Sequence, residues 1–145
     1  MIFSDVVSRG PTPALEKMLA FTEARQRMLS ENIANIDNPQ YRTKQLDARA
    51  FQDSLHKAME TRRTASAGEF RIPASKEVSQ DAAGRLLVTP SEEPAENVLF
   101  HDDTNTRVER QMSLLAENTL MHRTATELLR NRLDSLMKAI RGKVT

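Results

Sequence analysis

The triplet HDD at positions 101–103 is the one place in this chain where an imidazole adjoins carboxylates. Side chains of these types bind divalent metals or relay protons when a fold brings them to one point. Neighbours on a loop point apart, however, and the other histidines, His56 and His122, are too distant in sequence to complete a local ligand set. An enzyme reading would rest on this loop, with His101 as its working residue. A second polar group, Asn35, Asp37 and Asn38 followed by Pro39 and Tyr41, has a plainer meaning. Asn and Asp satisfy free helix carbonyls, tolerate left-handed backbone and make Asx turns, while Pro disfavours helix at the residue before it. The spacings that cradle phosphates, hold catalytic zinc, build a serine nucleophile elbow or bind calcium do not occur. The chain has no Cys, which removes disulfides, thiolate metal sites and cysteine nucleophiles together. No cofactor or metal is expected, and packing and hydrogen bonding remain as the chemistry on offer.

The elements that hold these residues are helical. Thr12 is a suitable N-cap with Pro13 at the first helical position. From there Leu15, Leu19, Thr22, Gln26, Leu29, Ile33 and Ile36 follow at alternating steps of 4 and 3, the spacing of a heptad seam. The seam is polar in its middle, and Glu16, Lys17, Glu23, Arg25, Arg27 and Glu31 are expected to decorate other faces. Such a helix would be a rod of roughly 37 Å at 1.5 Å per residue. A longer helix is expected at the other end, opened by a capping box of Thr106 and Glu109 and uninterrupted by Pro or Gly up to Gly142. Its seam reads Val108, Met112, Leu115, Thr119, His122, Thr126, Leu129, Leu133, Leu136 and Ile140, again in steps of 4 and 3 with a polar centre.

Between the two lies weaker signal. LDARAFQDSLHKAME reads as a shorter helix with Phe51, Leu55 and Met59 at steps of 4. EFRI, RLLVT and NVLF are candidate strand pieces, the second following a turn at Asp81 to Gly84, and TPSEEPAEN reads as a mobile acidic loop. This middle has too few apolar residues to stand alone, so its stability must come from the terminal helices. The expected fold is mainly α: two long amphipathic terminal helices pairing as a coiled coil, a shorter third helix, and a poorly ordered or small β-containing middle segment. Its divisions are residues 1–45, the N-terminal helix and turn; 46–104, the short helix and variable middle; and 105–145, the C-terminal helix.

Composition agrees with that picture. In 145 residues there are five Phe, one Tyr and no Trp, so burial must be spread along Leu, Ile, Met and Val surfaces, not concentrated on aromatic anchors. No apolar stretch approaches the roughly 18 to 20 residues of a membrane span, and the first residues show no secretory signal pattern. Net charge is +1, but it is uneven: residues 1–75 carry 11 basic and 9 acidic groups, residues 76–104 carry 2 and 7, and residues 105–145 carry 8 and 4. The basic end interleaves Arg and Lys with Glu117, Glu127 and Asp134 and lacks an aromatic or Gly-rich reader, which argues for a solvated helix face and against nucleic acid.

The stretch LSENIANIDNPQYR, residues 29–42, resembles the N-terminal signature of the axial proteins of the bacterial flagellum, the rod, hook and related proteins. Leu29, Ser30, Asn32, Ile33, Ala34, Asn35, Pro39, Tyr41 and Arg42 fit that pattern, while Asn38 stands where Thr is usual and Gln40 where Gly is usual. The short chain and the C-terminal run Glu109, Arg110, Met112, Ala116, Glu117 and Asn118 are similar to the proximal rod proteins of the FlgB type, with Arg107 in place of the expected acid. The resemblance covers residues 13–55 and 105–141 and implies a structural role. Subunits would leave through the flagellar type III export channel without a cleaved signal peptide and polymerise into the periplasmic rod of the basal body, with no enzymatic activity. Partners would be copies of the chain, other flagellar rod proteins, and the rod base at the membrane ring and export gate. Leu15, Leu19, Leu29, Asn32, Ile33, Asn35, Ile36, Pro39, Tyr41, Val108, Met112, Leu115, Leu129, Leu133, Leu136 and Ile140 are the expected assembly residues. Both stripes would belong to a marginal monomer and gain partners when copies stack. The competing reading is a helical adaptor or export chaperone that binds amphipathic segments of another protein.

Overall fold

A computed structural model describes residues 10–64, 70–93 and 103–142, the first four of the last stretch by backbone alone. Helix α1 runs Thr12–Ala34, α2 runs Ala48–Thr64 and α3 runs Asp103–Ile140. Four short strands, β1 Lys44–Gln45, β2 Val78–Gln80, β3 Leu86–Val88 and β4 Ser91–Glu92, form two antiparallel pairs, β1 with β4 and β2 with β3. The chain is mainly helical with a small β component, as the sequence implies.

Helix α1 starts differently from expectation. Pro11 stands at the N-cap without a side-chain cap, and its carbonyl accepts the Leu15 N–H at 3.0 Å. Pro11 and Pro13 already remove two donors from the first turn, so less capping is needed; Thr12 is buried inside the helix and its Oγ1 has no hydrogen-bond partner. Helix α3 likewise begins before Thr106, which places Thr106 and Glu109 within it and not at a capping box. Its end matches the reading: Arg141 N–H bonds Met137 O, and Gly142 takes φ 64°, the left-handed conformation that closes a helix. Asp47 caps α2, its Oδ1 accepting the N–H of Arg49 at 3.0 Å and of Ala50 at 2.9 Å.

The core lies where α1 meets the middle segment. Phe21 and Phe51 stack face to face, centroids 4.0 Å apart, and Ala14, Met28, Leu29, Leu46, Leu55, Ala58, Phe70, Ile72 and Val78 close around them. Residue Ala58, not Met59, is the third buried position of α2. The expected turn exists, with Gly84 N–H bonding Asp81 O at 2.9 Å and Gly84 at φ 75°, and it joins β2 to β3 as a hairpin. Of the expected strand pieces, RLLVT contains β3, Phe70 to Ile72 pass without strand pairing, and NVLF lies outside the described residues. The start of the supposed mobile loop is instead anchored: Ser91–Glu92 pairs with Lys44–Gln45, and Glu93 N–H bonds Thr43 O at 2.8 Å. His101 and Asp102 of the HDD triplet also lie outside the described residues.

Helices α1 and α3 pack against each other antiparallel, Asn32 meeting Gln111, Gln26 meeting Asn118 and Thr22 meeting His122. Besides Thr12, the buried residues of α1 are Ala14, Phe21, Thr22, Arg25, Met28, Leu29 and Asn32, so Ala14, Phe21, Arg25, Met28 and Asn32, one position off the expected seam, are covered along with Thr22 and Leu29 of that seam. On α3 the buried positions are Gln111, Asn118 and Ala125, spaced by seven, with Leu115, His122, Leu129 and Leu136 half-buried beside them. Met112, Leu133 and Ile140 of the expected seam are exposed, Ile140 at 60%. The reason is geometric. One residue is 100° on a helix, so shifting half the seam from 112, 119, 126 and 133 to 111, 118, 125 and 132 turns polar and small side chains inward.

Candidate functional site

The signature stretch builds one clasp around Asn32. Only 3% exposed, Asn32 uses its whole hydrogen-bonding capacity. Its Nδ2 donates to Lys44 O at 2.8 Å and to Gln111 Oε1 at 3.3 Å, and its Oδ1 accepts from the Tyr41 hydroxyl at 2.9 Å and from Lys44 N–H at 3.0 Å. One side chain therefore ties together the end of α1, the returning strand β1 and helix α3. A buried amide with all four bonds made fixes geometry more sharply than apolar contact, because any displacement strands donors and acceptors away from water.

The turn that returns the chain to Asn32 follows from its sequence. Asn35 ends α1: its N–H bonds Glu31 O at 3.1 Å and its Nδ2 donates to the same carbonyl at 2.9 Å. Next, Asn38 N–H bonds Asn35 O at 2.9 Å and Tyr41 N–H bonds Asn38 O at 3.1 Å, two successive tight turns. Asn38 Oδ1 accepts the Gln40 N–H at 3.1 Å, an Asx turn that gives Asn38 a structural use of its own. Pro39 is exposed within these turns, while Ile33 and Ile36 are half-buried. Burial and the nearby Glu31 carboxylate raise the Tyr41 pKa above its ordinary value, with Lys44 acting in the opposite direction. Lys44 pairs with Glu31 at 2.7 Å, and that hydrogen bond raises the ammonium pKa. A cavity of about 40 Å³ lies between the turn and α3, walled by Asn35, Ile36, Tyr41, Arg107 and Arg110.

Polar rungs continue along the helix pair. Asn118, fully buried, donates through Nδ2 to Thr22 O at 2.9 Å and to Gln26 Oε1 at 3.0 Å, while its Oδ1 has no partner. Thr22 Oγ1 sits 2.9 Å from Met18 O, 3.0 Å from Leu19 O and 2.9 Å from His122 Nδ1. Hydrogen-bonded side chains at fixed intervals set the register of two helices, since a slip by one turn would leave each unpaired. Sequence spacing placed Thr22, Gln26 and His122 on the seams but missed Gln111 and Asn118; their seven-residue separation, continued by Ala125 and Arg132, was the available signal.

Of the expected assembly residues, Leu29 and Asn32 are buried within the chain, and Leu15, Leu19, Ile33, Asn35, Ile36, Tyr41, Val108, Leu115, Leu129 and Leu136 are half-buried. Pro39, Met112, Leu133 and Ile140 face outward. Among the described residues no group of three His, Asp or Glu is arranged to hold a metal ion, and no described helix is long and apolar enough to cross a membrane.

No family model matches the chain, and no solved structure matches it significantly. Curated relatives do. The chain is 33% identical to the flagellar basal body rod protein FlgB of Cereibacter sphaeroides over 130 residues, 86% of this chain and 89% of that protein. It belongs to the FlgB family of flagellar basal-body rod proteins. FlgB of Salmonella typhimurium is 26% identical over 134 residues, and FlgB of Bacillus subtilis 23% identical over 133 residues, 92% of this chain and 95% of the relative. The likeness thus spans the middle segment as well as the helical ends. In this FlgB family member the Asn32 clasp joins the end of α1 and Tyr41 to Lys44 of β1 and Gln111 of α3.

Proposed function

We propose that this chain is a non-enzymatic structural subunit of the periplasmic part of the flagellar rod, exported through the flagellar type III channel and assembled there with copies of itself and other rod proteins into the shaft that carries torque. The identity of 33% with a FlgB protein across 86% of the chain carries the reading. Physical support comes from how the apolar surface is distributed. The stripe of α1 is covered by the chain's own middle segment, so the monomer is better buried at this end than two waiting stripes would imply. Helix α3 differs. It runs two turns past Arg132, the residue beside Gly10, and Leu133, Met137 and Ile140 on that extension are exposed, as are Met112, Leu120 and Leu128 further back. Large apolar side chains in such number along one helix stabilise an assembly when neighbours cover them. Coiled-coil pairing of the terminal helices is part of this proposal, as is the division into 1–45, 46–104 and 105–145. Within it, Leu133, Leu136 and Ile140 contact neighbouring subunits, and Asn32, Asn35 and Tyr41 hold the turn at the opposite end of the helix pair, where α1 meets Gln111.

Deletion of the gene, with complementation by the intact chain, tests the reading. Loss of swimming and of assembled rods in isolated basal bodies is the expected result. Normal rods in the deletion strain would refute it, and a stable dimer captured with one cytosolic client would favour the adaptor reading instead.

A further inference from the structure

Helix α3 carries a second stripe of heptad spacing on its outward side. Leu120, Arg123, Glu127, Arg130, Asp134 and Met137 follow at steps of 3, 4, 3, 4 and 3, which gathers them within about 100° of one another around the helix. All six are exposed, the apolar ends included, Leu120 at 65% and Met137 at 47%. The buried positions Gln111, Asn118 and Ala125, which seat α3 on the rest of the chain, lie on the opposite side.

Among the described residues, none of the four charged side chains of this stripe enters an ion pair. Their own helix offers them poor partners. Arg123 precedes Glu127 by four residues and Arg130 precedes Asp134 by four, whereas the favourable order along a helix is acid before base.

Taken in reverse, the stripe is the complement of itself. When two such helices lie antiparallel with Leu120 of one against Met137 of the other, Arg123 falls against Asp134 and Glu127 against Arg130. Every contact occurs twice about the two-fold axis, so opposite charges meet along the middle and Leu meets Met at both ends. Parallel pairing in register would set Arg123 on Arg123 and Glu127 on Glu127, which like-charge repulsion disfavours.

We propose that the free chain pairs with a second copy of itself, antiparallel, through this outer face of α3. Most of the contact is between exposed charges, so the pair is weak and sensitive to salt. A two-fold contact closes on itself and cannot propagate, which makes it a state of the unassembled chain. It uses another row of α3 than Leu133, Leu136 and Ile140, and it does not depend on the rod reading.

Sedimentation equilibrium of the purified full chain tests the pairing. A two-copy species is expected at about 0.01 M salt, where charges act over about 30 Å, and its Kd should rise about tenfold or more at about 1 M, where they act over about 3 Å. Arg123→Glu sets acid against acid and should weaken the pair about tenfold or more, as should Asp134→Arg, which sets base against base. A chain carrying both substitutions restores opposite charges and should pair like wild type, a recovery that damage to the fold could not produce. Because the chain has no Cys, oxidation reads the orientation: Leu120→Cys mixed with Met137→Cys should give the mixed disulfide, and neither alone should cross-link to itself. A monomer at every salt concentration, a Kd indifferent to salt, or reversals without effect would overturn the proposal. So would failure of the double variant to recover, or a Leu120→Cys chain linked to its own copy, the mark of parallel pairing. Swimming by the deletion strain bears on the rod reading alone.

Discussion

The Tyr41 hydroxyl donates to Asn32 Oδ1 at 2.9 Å, and this bond closes the loop by which the chain leaves α1 and comes back along it. Lys44 N–H shares the same oxygen at 3.0 Å. Asn32 also reaches Gln111 on α3, so the turn and the long C-terminal helix are positioned by one side chain.

Replacing Asn32 with Ala should therefore be among the costliest polar substitutions in the chain. It strands the Lys44 backbone, the Tyr41 hydroxyl and Gln111 together, and about 2–4 kcal/mol of stability should be lost if water reaches only part of the gap. Urea unfolding followed by circular dichroism measures it; a loss within the error of wild type would show that the clasp contributes nothing.

Tyr41→Phe removes one bond and should cost about 0.5–1.5 kcal/mol at neutral pH. Its pH signature is more specific. Tyr41 titrates above its ordinary 10.0 in the folded chain, so the folded state holds this proton more tightly than the unfolded state does. The associated stability is complete below pH 10 and is lost as pH rises through the raised folded value. The alkaline fall in melting temperature should accordingly be shallower in Tyr41→Phe than in wild type, and parallel curves would rule this out.

The stacked pair Phe21 and Phe51, centroids 4.0 Å apart, joins α1 to the middle segment. Phe51→Ala empties a site that is 2% exposed and should cost about 3–5 kcal/mol. Amide exchange ought to rise throughout α2; protection unchanged from wild type would place the core elsewhere.

Leu29 and Leu133 were expected to play the same part on two seams, and the structure separates them. Leu29 is 1% exposed and Leu133 is 39% exposed. Leu29→Asp should unfold the subunit, since an unpaired carboxylate cannot be buried there at neutral pH. By contrast, Leu133→Asp should leave the purified chain with wild-type melting and abolish rod assembly and swimming. Motile cells carrying Leu133→Asp would refute a contact role for the α3 extension.

Much of this molecule could be read from its residues in order. The alternating steps of 4 and 3 announced both long helices, the Asn and Pro residues after Ile33 announced a sharp stop, and Asp81 to Gly84 announced a turn, because each is a local preference of the backbone. The Asn32 side chain was recognisable as part of a pattern, but its four partners were not, since Lys44 and Gln111 come near it only after the chain has turned and α3 has packed.

What local pattern determined was the existence of two striped helices joined to a signature turn. Which stripe faces inward was left to the tertiary structure. Two heptad rows on one helix lie 100° apart, and a buried Gln111, Asn118 or Arg25 looks in sequence like any solvated polar residue. Only the antiparallel seat of α3 on α1 supplies the partners that let Gln111 and Asn118 be buried, and it does so while turning Leu133 and Ile140 outward.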